Sequence, residues 1–331
     1  MLKNRFLLIF IALATAGLGY YIGRYTGKEK GKDIAIAEKH HEIQEIRESG
    51  YKFISPLLEC QDLASSSRSS MIILEKKLKD YISEVKSENR ASHVSVYFRD
   101  LSNGPWIGIG ENELFSPASL LKVPIMIAAL HKAEPEHSPG FLSKTINYTK
   151  HTEDLTNPNI TNHALIKIGN SYTVDQLINN MIAYSDNEAK NLLLMNIEET
   201  ILNKVYSDLG IDVPGLKSPD DFMSVNDYSS FFRMLYNASY LNKAMSEKGL
   251  EYLSHSDFKK GLVAKLPADI VVAHKFGERG LAESNIKQLH DCGIVYKKGK
   301  PYLICVMTRG NDFDELASVI SDVSSMVYES Y

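Results

Sequence analysis

The chain has 331 residues, 44% apolar and 24% charged, enough for one large or two modest globular domains; wholesale disorder and a polytopic membrane protein are both excluded. With 37 Lys and Arg against 41 Asp and Glu the net charge is −4, so there is no cationic excess to neutralise a run of phosphates, and nucleic acid is not expected as a partner. The charge is uneven: residues 1–32 carry +5, which leaves −9 for the remainder.

The first element predicted is an apolar run over residues 6–22, interrupted only by Thr15, Gly17 and Gly19. As a helix it would be about 26 Å long, just enough to cross a membrane. Lys3 and Arg5 followed by Ala14-Thr15-Ala16 also fit a cleavable signal peptide. The continuation through Leu18, Tyr20, Tyr21 and Ile22 favours an uncleaved anchor. Positive residues flank both ends, so they do not fix its orientation. Residues 33–50 are polar and helix-favouring, with Ile36, Ile43 and Ile46 at heptad-like spacing, and predict a helical stalk that ends at Gly50. His40 and His41 fall on this stalk and read as solvated side chains, not as a metal site.

Met71, Leu74, Leu78, Ile82 and Val85 mark an amphipathic helix, after which the period changes to two in Val94, Val96 and Phe98. Ser102-Asn103-Gly104 signals a turn into a second strand at 106–109. Residues 111–260 are mostly helical and loop-rich. Residues 270–276, 290–296 and 302–308 read as strands, the last two as a hairpin, and Leu316, Val319, Ile320, Val323 and Val327 line a final helix. The pattern predicts an α+β fold: one antiparallel sheet built from both chain ends (51–110 and 261–331), flanked by helices, with an all-helical subdomain (111–260) inserted.

Cys60, Cys292 and Cys305 are too few for a disulfide scaffold. If Lys298-Gly299 is a two-residue turn, Cys292 and Cys305 face each other at a non-hydrogen-bonded pair, with Pro301 where no ladder N–H is needed. Buried thiols packing as small apolar groups are the alternative.

Three short motifs carry chemistry. In Ser116-Pro117-Ala118-Ser119-Leu120-Leu121-Lys122, Ser116 suits an N-cap and Pro117 the first helical position. Ser119 then lies in the first turn, where backbone N–H groups point outward, and Lys122 follows at i+3 to accept its hydroxyl proton if the amine is neutral. The bare S-x-x-K pattern also occurs at Ser49/Lys52, Ser83/Lys86, Ser256/Lys259 and Ser284/Lys287. What distinguishes Ser119 is order: Ser185-Asp186-Asn187 comes next, after a helix whose cap is signalled at Thr173, and Lys275-Phe276-Gly277 follows an apolar strand.

In these elements, from about Val94 to the final helix, the chain resembles the class A β-lactamase and penicillin-binding serine enzyme superfamily. The resemblance implies Ser119 as the acylated nucleophile, Lys122 as its general base, and Ser185 as a proton relay to the leaving nitrogen. It implies Asn187 on the substrate amide, Lys275 beside Ser185 and the substrate carboxylate, and the backbone N–H of Glu278, after Gly277, as second oxyanion donor. Phe276 replaces the family's usual hydroxyl residue, which leaves the carboxylate contact to Arg279 or His290. Class A enzymes also carry a loop Glu that positions the deacylating water, whereas residues 209–223 contain no Glu. Asp212, Asp220 and Asp221 are there, in a setting that reads as turn and cap chemistry.

The expectation is a membrane-anchored, extracytoplasmic serine hydrolase that forms an acyl-enzyme with β-lactams or peptidoglycan peptides, without cofactor or metal. The alternatives are a D-alanyl-D-alanine peptidase that β-lactams inhibit, and a β-lactam sensor or wall-binding module that acylates and stops.

Overall fold

The described residues of the computed structural model are 41–64, 68–102, 104–152, 165–213, 219–280 and 285–331. Along them run β1 (His41–Arg47), β2 (Leu57–Ala64), α1 (Arg68–Ser87), β3 (His93–Asp100), β4 (Trp106–Ile109), a 3₁₀ turn (Ala118–Leu121) and α2 (Lys122–Lys132). Then come β5 (Thr145–Asn147), β6 (Ser171–Thr173), α3 (Val174–Ala183), α4 (Asn187–Leu194), α5 (Glu199–Ser207), α6 (Val225–Tyr236) and α7 (Lys243–Ser254). The chain closes with β7 (Val272–Gly280), β8 (Lys287–Val295), β9 (Tyr302–Gly310) and α8 (Phe313–Ser330). Backbone proximity divides the chain into a small unit, Met1–Glu42 with Asp62–Ser66, and a main one, Ile43–Gln61 with Ser67–Tyr331; the sheet and the site belong to the main unit. The run at 6–22 lies outside the described residues, among which no helix is long and apolar enough to cross a membrane.

Five strands form one antiparallel sheet in the order β4-β3-β9-β8-β7, so the two chain ends do build it together. One face is covered by α1 and α8: Leu74, Leu78 and Val85 meet Leu316, Val323 and Val327 over Val96, Phe98, Ile304 and Val306. The opposite face, with Tyr97, Ile294, Leu303 and Met307, joins the core of the helical part. Burial on both sides is why β9 reads as a continuous apolar run from Tyr302 to Met307 instead of alternating. Each fully buried Leu, Val or Phe stabilises this arrangement by about 1.5–3 kcal/mol.

The hairpin register pairs Cys292 with Cys305, and the two form a disulfide with their Cα atoms 4.0 Å apart, the close spacing of a non-hydrogen-bonded pair. Lys298 and Gly299 are the central turn residues: Lys300 N–H donates to Lys297 O (2.9 Å), and Gly299 takes the positive φ, +73°. The sheet strands run beyond their apolar cores. β7 continues through Glu278 and Arg279 to Gly280 because the ladder with β8 holds them in register, whatever their polarity.

The helical stalk expected over 33–50 is corrected where it is described. His41–Arg47 is a strand, paired with β2. Alternation places Glu45 and Arg47 on one side, where they form an ion pair; Arg99 also bonds Glu45 (3.2 Å), and Arg47 Nη1 donates to Ser55 O and Asn237 Oδ1 (2.6 and 2.8 Å). These tertiary partners outweigh a weak helical preference.

In the helical part α2 is central, with residues 122–130 all buried. Pro124 is tolerated in its first turn because N–H groups there have no intrahelical acceptor. Thr173 and Gln176 form the capping box that starts α3.

Candidate active site

The nucleophile segment departs from its sequence pattern. Ala118–Leu121 is a single 3₁₀ turn without a side-chain cap, and α2 begins only at Lys122. Ser116 is not an N-cap; tertiary partners claim it. Its N–H donates to Gln288 Oε1 (3.0 Å), its carbonyl accepts from His290 Nε2 (2.9 Å), and its hydroxyl accepts from Arg279 Nη1 (2.8 Å). Ala118 sits at φ +48°, a left-handed conformation that costs an L-residue roughly 1–2 kcal/mol. The turn is held by the Leu120 N–H on Pro117 O (2.9 Å) and by the buried Tyr228 hydroxyl on Leu120 O (3.0 Å). Such strain collects where a functional side chain must be held in one orientation, and here it precedes Ser119 directly.

Lys122 is buried, and its Nζ lies 3.1 Å from Ser119 Oγ, 2.9 Å from Ser185 Oγ, 2.6 Å from Ser185 O and 2.7 Å from Asn187 Oδ1. Four oxygens surround a nitrogen that carries at most three protons. One hydroxyl must therefore share a proton or turn its own toward the amine, the arrangement from which a serine proton can be taken.

Ser185 comes from the corner between α3 and α4, at φ +57°. Asp186 caps α4 by accepting from Ala189 N–H (3.0 Å), while its other oxygen accepts from Ile166 N–H (2.9 Å). The ordinary role of a Ser-Asp-Asn sequence as a helix cap is thus true of Asp186, and that cap holds Ser185 and Asn187 against Lys122.

β7 is an edge strand and supplies the opposite wall. Lys275 is fully buried, its Nζ donating to Ser185 Oγ (3.1 Å) and Phe276 O (2.9 Å). Burial pulls its pKa down to about 7, against the opposing pull of the Asp291 and Glu278 carboxylates. The Phe276 carbonyl is thereby placed on the free edge of the strand, and the two-residue period gives the Glu278 N–H the same orientation. Gly277 is required by close approach: a Cβ there would lie 2.7 Å from Pro117 O and 3.1 Å from Leu120 N. The Phe276 ring stacks on Phe258 in the core behind the sheet, centroids 4.3 Å apart.

The site residues read from sequence therefore converge: Ser119, Lys122, Ser185, Asn187 and Lys275 share one hydrogen-bond network, with Gly277 and Glu278 against it. Arg279 is tied to Ser116 Oγ and, through Nη2, to Asp220 (2.7 Å). His290 does not serve as a carboxylate contact. It is fully buried, donates through Nε2 to Ser116 O, and accepts the Thr308 N–H at Nδ1 (3.2 Å). Burial depresses its pKa to about 4, so the ring is neutral and both nitrogens are engaged. Asp212 is exposed; Asp221 accepts from Gln288 Nε2 and Arg309 Nη2 (both 2.9 Å).

Sequence reasoning missed Glu188, the residue after Asn187. It is buried, and its Oε2 accepts from the Thr152 N–H (3.0 Å) and hydroxyl (2.8 Å). Burial would raise its pKa, but the Thr152 hydrogen bonds prevail and hold it below the usual carboxylate range. Only the long-range contact reveals it.

A serine and two buried lysines, set where a helical insertion meets the edge strand of this sheet, define a β-lactamase-like serine hydrolase acting on amide bonds. The chain belongs to the beta-lactamase enzyme family, whose sequence profile, Beta-lactamase2, matches residues 74–331. Among solved structures it is similar to an ancestral class A β-lactamase (23% identity, 77% of this chain and 100% of the other, TM-score 0.64). It is similar also to a β-lactamase from Chitinophaga pinensis (20%, 77% and 99%, TM-score 0.65). A third is a point mutant of PBP-A as an acyl-enzyme complex with penicillin G (21%, 78% and 96%, TM-score 0.64). These identities support the fold alone. No curated protein matches the chain.

Proposed function

We propose that this enzyme acylates Ser119 with β-lactams or peptidoglycan peptides and releases the acyl group slowly. The observation that carries the proposal is the position of Lys122 Nζ between Ser119 Oγ and Ser185 Oγ. Lys122 takes the Ser119 proton as Oγ bonds to the amide carbon. The negative oxygen is met by the N–H groups of Ser119 and Glu278. When the carbon–nitrogen bond breaks, the proton passes through the Ser185 hydroxyl to the leaving nitrogen, Asn187 holds the substrate amide, and the Lys275 ammonium attracts a substrate carboxylate, with Arg279 next to it. Acylation and release of the nitrogen thus balance without a cofactor.

Hydrolysis of the acyl-enzyme needs a base for water, and residues 209–223 supply no Glu. That favours the slow second step and keeps two readings beside β-lactamase: a D-alanyl-D-alanine peptidase inhibited by β-lactams, and a sensor that stops at acylation. Labelling with a fluorescent penicillin, followed by mass spectrometry of the labelled peptide, tests the nucleophile. The label is expected on Ser119 alone, and a label retained in Ser119→Ala would refute the proposal. The rate of release then separates the three readings.

The catalytic domain is proposed to lie outside the cytoplasmic membrane, held by residues 6–22. The Cys292–Cys305 disulfide supports an oxidising compartment. An intact N-terminus recovered in the membrane fraction is expected; a soluble chain beginning at Gly17 would instead mean a cleaved signal.

A further inference from the structure

At the end of α2 remote from Ser119 the chain carries a second cluster of functional side chains. We infer that His131, Glu134 and His137 form a binding site for a divalent transition metal ion such as zinc. It stands roughly 14 Å along the helix axis from Lys122. Among the described residues these three side chains form a group whose ligand atoms all lie within 4.8 Å of one another.

The backbone explains why they meet. Past α2 the chain continues with three-residue closures, Glu134 N–H to His131 O (3.2 Å) and His137 N–H to Glu134 O (3.0 Å). These two successive turns bring the side chains of His131, Glu134 and His137 to one side of the chain. Glu134 Oε2 is consequently 2.9 Å from His131 Nδ1 and 3.9 Å from His137 Nδ1, and the two imidazole centroids are 4.5 Å apart. Ligand atoms about 2.0–2.1 Å from a tetrahedral zinc are separated by roughly 3.3 Å, a value that these two distances bracket.

The cluster has the support that a metal site needs. Glu134 is almost fully buried, and its Oε1 accepts the N–H of Asn242 (2.6 Å), the residue that caps α7. That bond fixes the carboxylate and leaves Oε2 directed at the histidines, as an outer-shell contact does. His131 packs against the Tyr240 ring, centroids 5.3 Å apart, while the His137 side chain is 44% exposed and gives access to an ion and to a water in the fourth position. The helix C-terminus adds favourable negative potential. Two imidazoles and one carboxylate select zinc, nickel or copper over magnesium or calcium. An ordinary i, i+3 hydrogen bond accounts for His131 and Glu134, but it calls for no second imidazole.

The test uses the full chain without a histidine tag, stripped with a chelator and titrated with zinc sulfate by calorimetry and thermal melting. One equivalent should bind and raise the melting temperature, because the ion binds the folded chain. His137→Ala and His131→Ala should weaken binding by at least the ~10-fold that loss of an outer-shell partner typically costs. His255→Ala, at an exposed histidine elsewhere, should leave it unchanged. Penicillin labelling of His137→Ala at Ser119 verifies that the variant is folded. Absence of heat and of a melting shift with zinc, nickel and copper, or equal affinity in His137→Ala, would overturn the inference.

Discussion

The nucleophile wall and the loop before α6 both meet β7, at Lys275 and at Arg279, yet are built in opposite ways. In the wall, each polar group that acylation calls on is aimed at another one: Lys122 at Ser119, Ser185 and Asn187, and Lys275 at Ser185. In the loop the described carboxylates nearest the site face neighbouring donors, Asp220 the Arg279 guanidinium and Asp221 the Arg309 guanidinium and the Gln288 amide. The Phe115–Met223 bridge pins the loop to the segment before Ser119. Groups in the first region converge on the Lys122 and Lys275 amines, and carboxylates in the second are held in pairs with arginines. On the proposed function, the two halves of an acyl-enzyme cycle would need separate machinery, and this chain would hold the first half formed and the second reduced.

The largest expected effects break the wall. Ser119→Ala should abolish covalent labelling altogether. Lys122→Arg keeps a cation but offers no lone pair at neutral pH, and loss of a general base typically costs 10²–10⁴ in rate. Acylation should fall by about that factor. A normal acylation rate in the Arg variant would leave Lys122 an electrostatic part only, and the proton would have to go elsewhere.

The loop is tested next. A chromogenic cephalosporin should give a burst close to one product per enzyme and then a phase slower by a comparable factor of roughly 10²–10⁴. Asp221→Asn should change the slow phase little, because Asp221 answers to Arg309 and Gln288. Fast turnover lost in Asp220→Asn or Asp221→Asn would place the missing base in the loop. Fast turnover lost in Glu188→Gln would place it on α4 and erase the contrast between the regions.

This contrast was only half legible in the sequence. Periodicity marked the helices over the sheet, and the order of the motifs at Ser119, Ser185 and Lys275 marked the wall through the family resemblance it carries. The strand at His41–Arg47 was not legible: it pairs with β2, and its side chains bond Arg99 and Asn237, far away in sequence. The same holds for Ser116, whose capping pattern is overridden by Gln288, His290 and Arg279 on other strands. His290 looked like a ligand for a carboxylate because an isolated strand does not disclose that both ring nitrogens are engaged. Long-range polar contacts decide each of these cases, and no local pattern encodes them.

A pH test sharpens the wall itself. An unfolded lysine titrates near 10.4, whereas folded Lys275 titrates at about 7. Between these values the unfolded chain binds a proton that the folded chain does not, so this group makes stability rise with pH. Below about pH 7 both states are protonated and the full cost of burying the ammonium is felt. Lys275→Met removes that cost. The variant's stability advantage over the parent should be greatest below pH 7 and should shrink as pH rises toward 10, read from urea midpoints at pH 6 and pH 9. An advantage independent of pH would show that Lys275 stays protonated in the folded chain throughout.

The smallest effects compare two glycines, one in each region. Ala at Gly277 would press a methyl group against backbone, at 2.7 Å from Pro117 O; neither strand nor turn yields cheaply, and overpacking of this kind costs about 1–3 kcal/mol. The shift it forces lies between the Ser119 turn and β7, so labelling should slow together with the loss of stability. Gly210 in the loop has φ +68° and open space where a Cβ would go. Gly210→Ala therefore meets only the left-handed backbone penalty, roughly 1–2 kcal/mol, with the labelling rate unchanged. If Gly210→Ala slowed labelling as much as Gly277→Ala, the loop would be coupled to the nucleophile, and treating the two regions as separate machinery would fail.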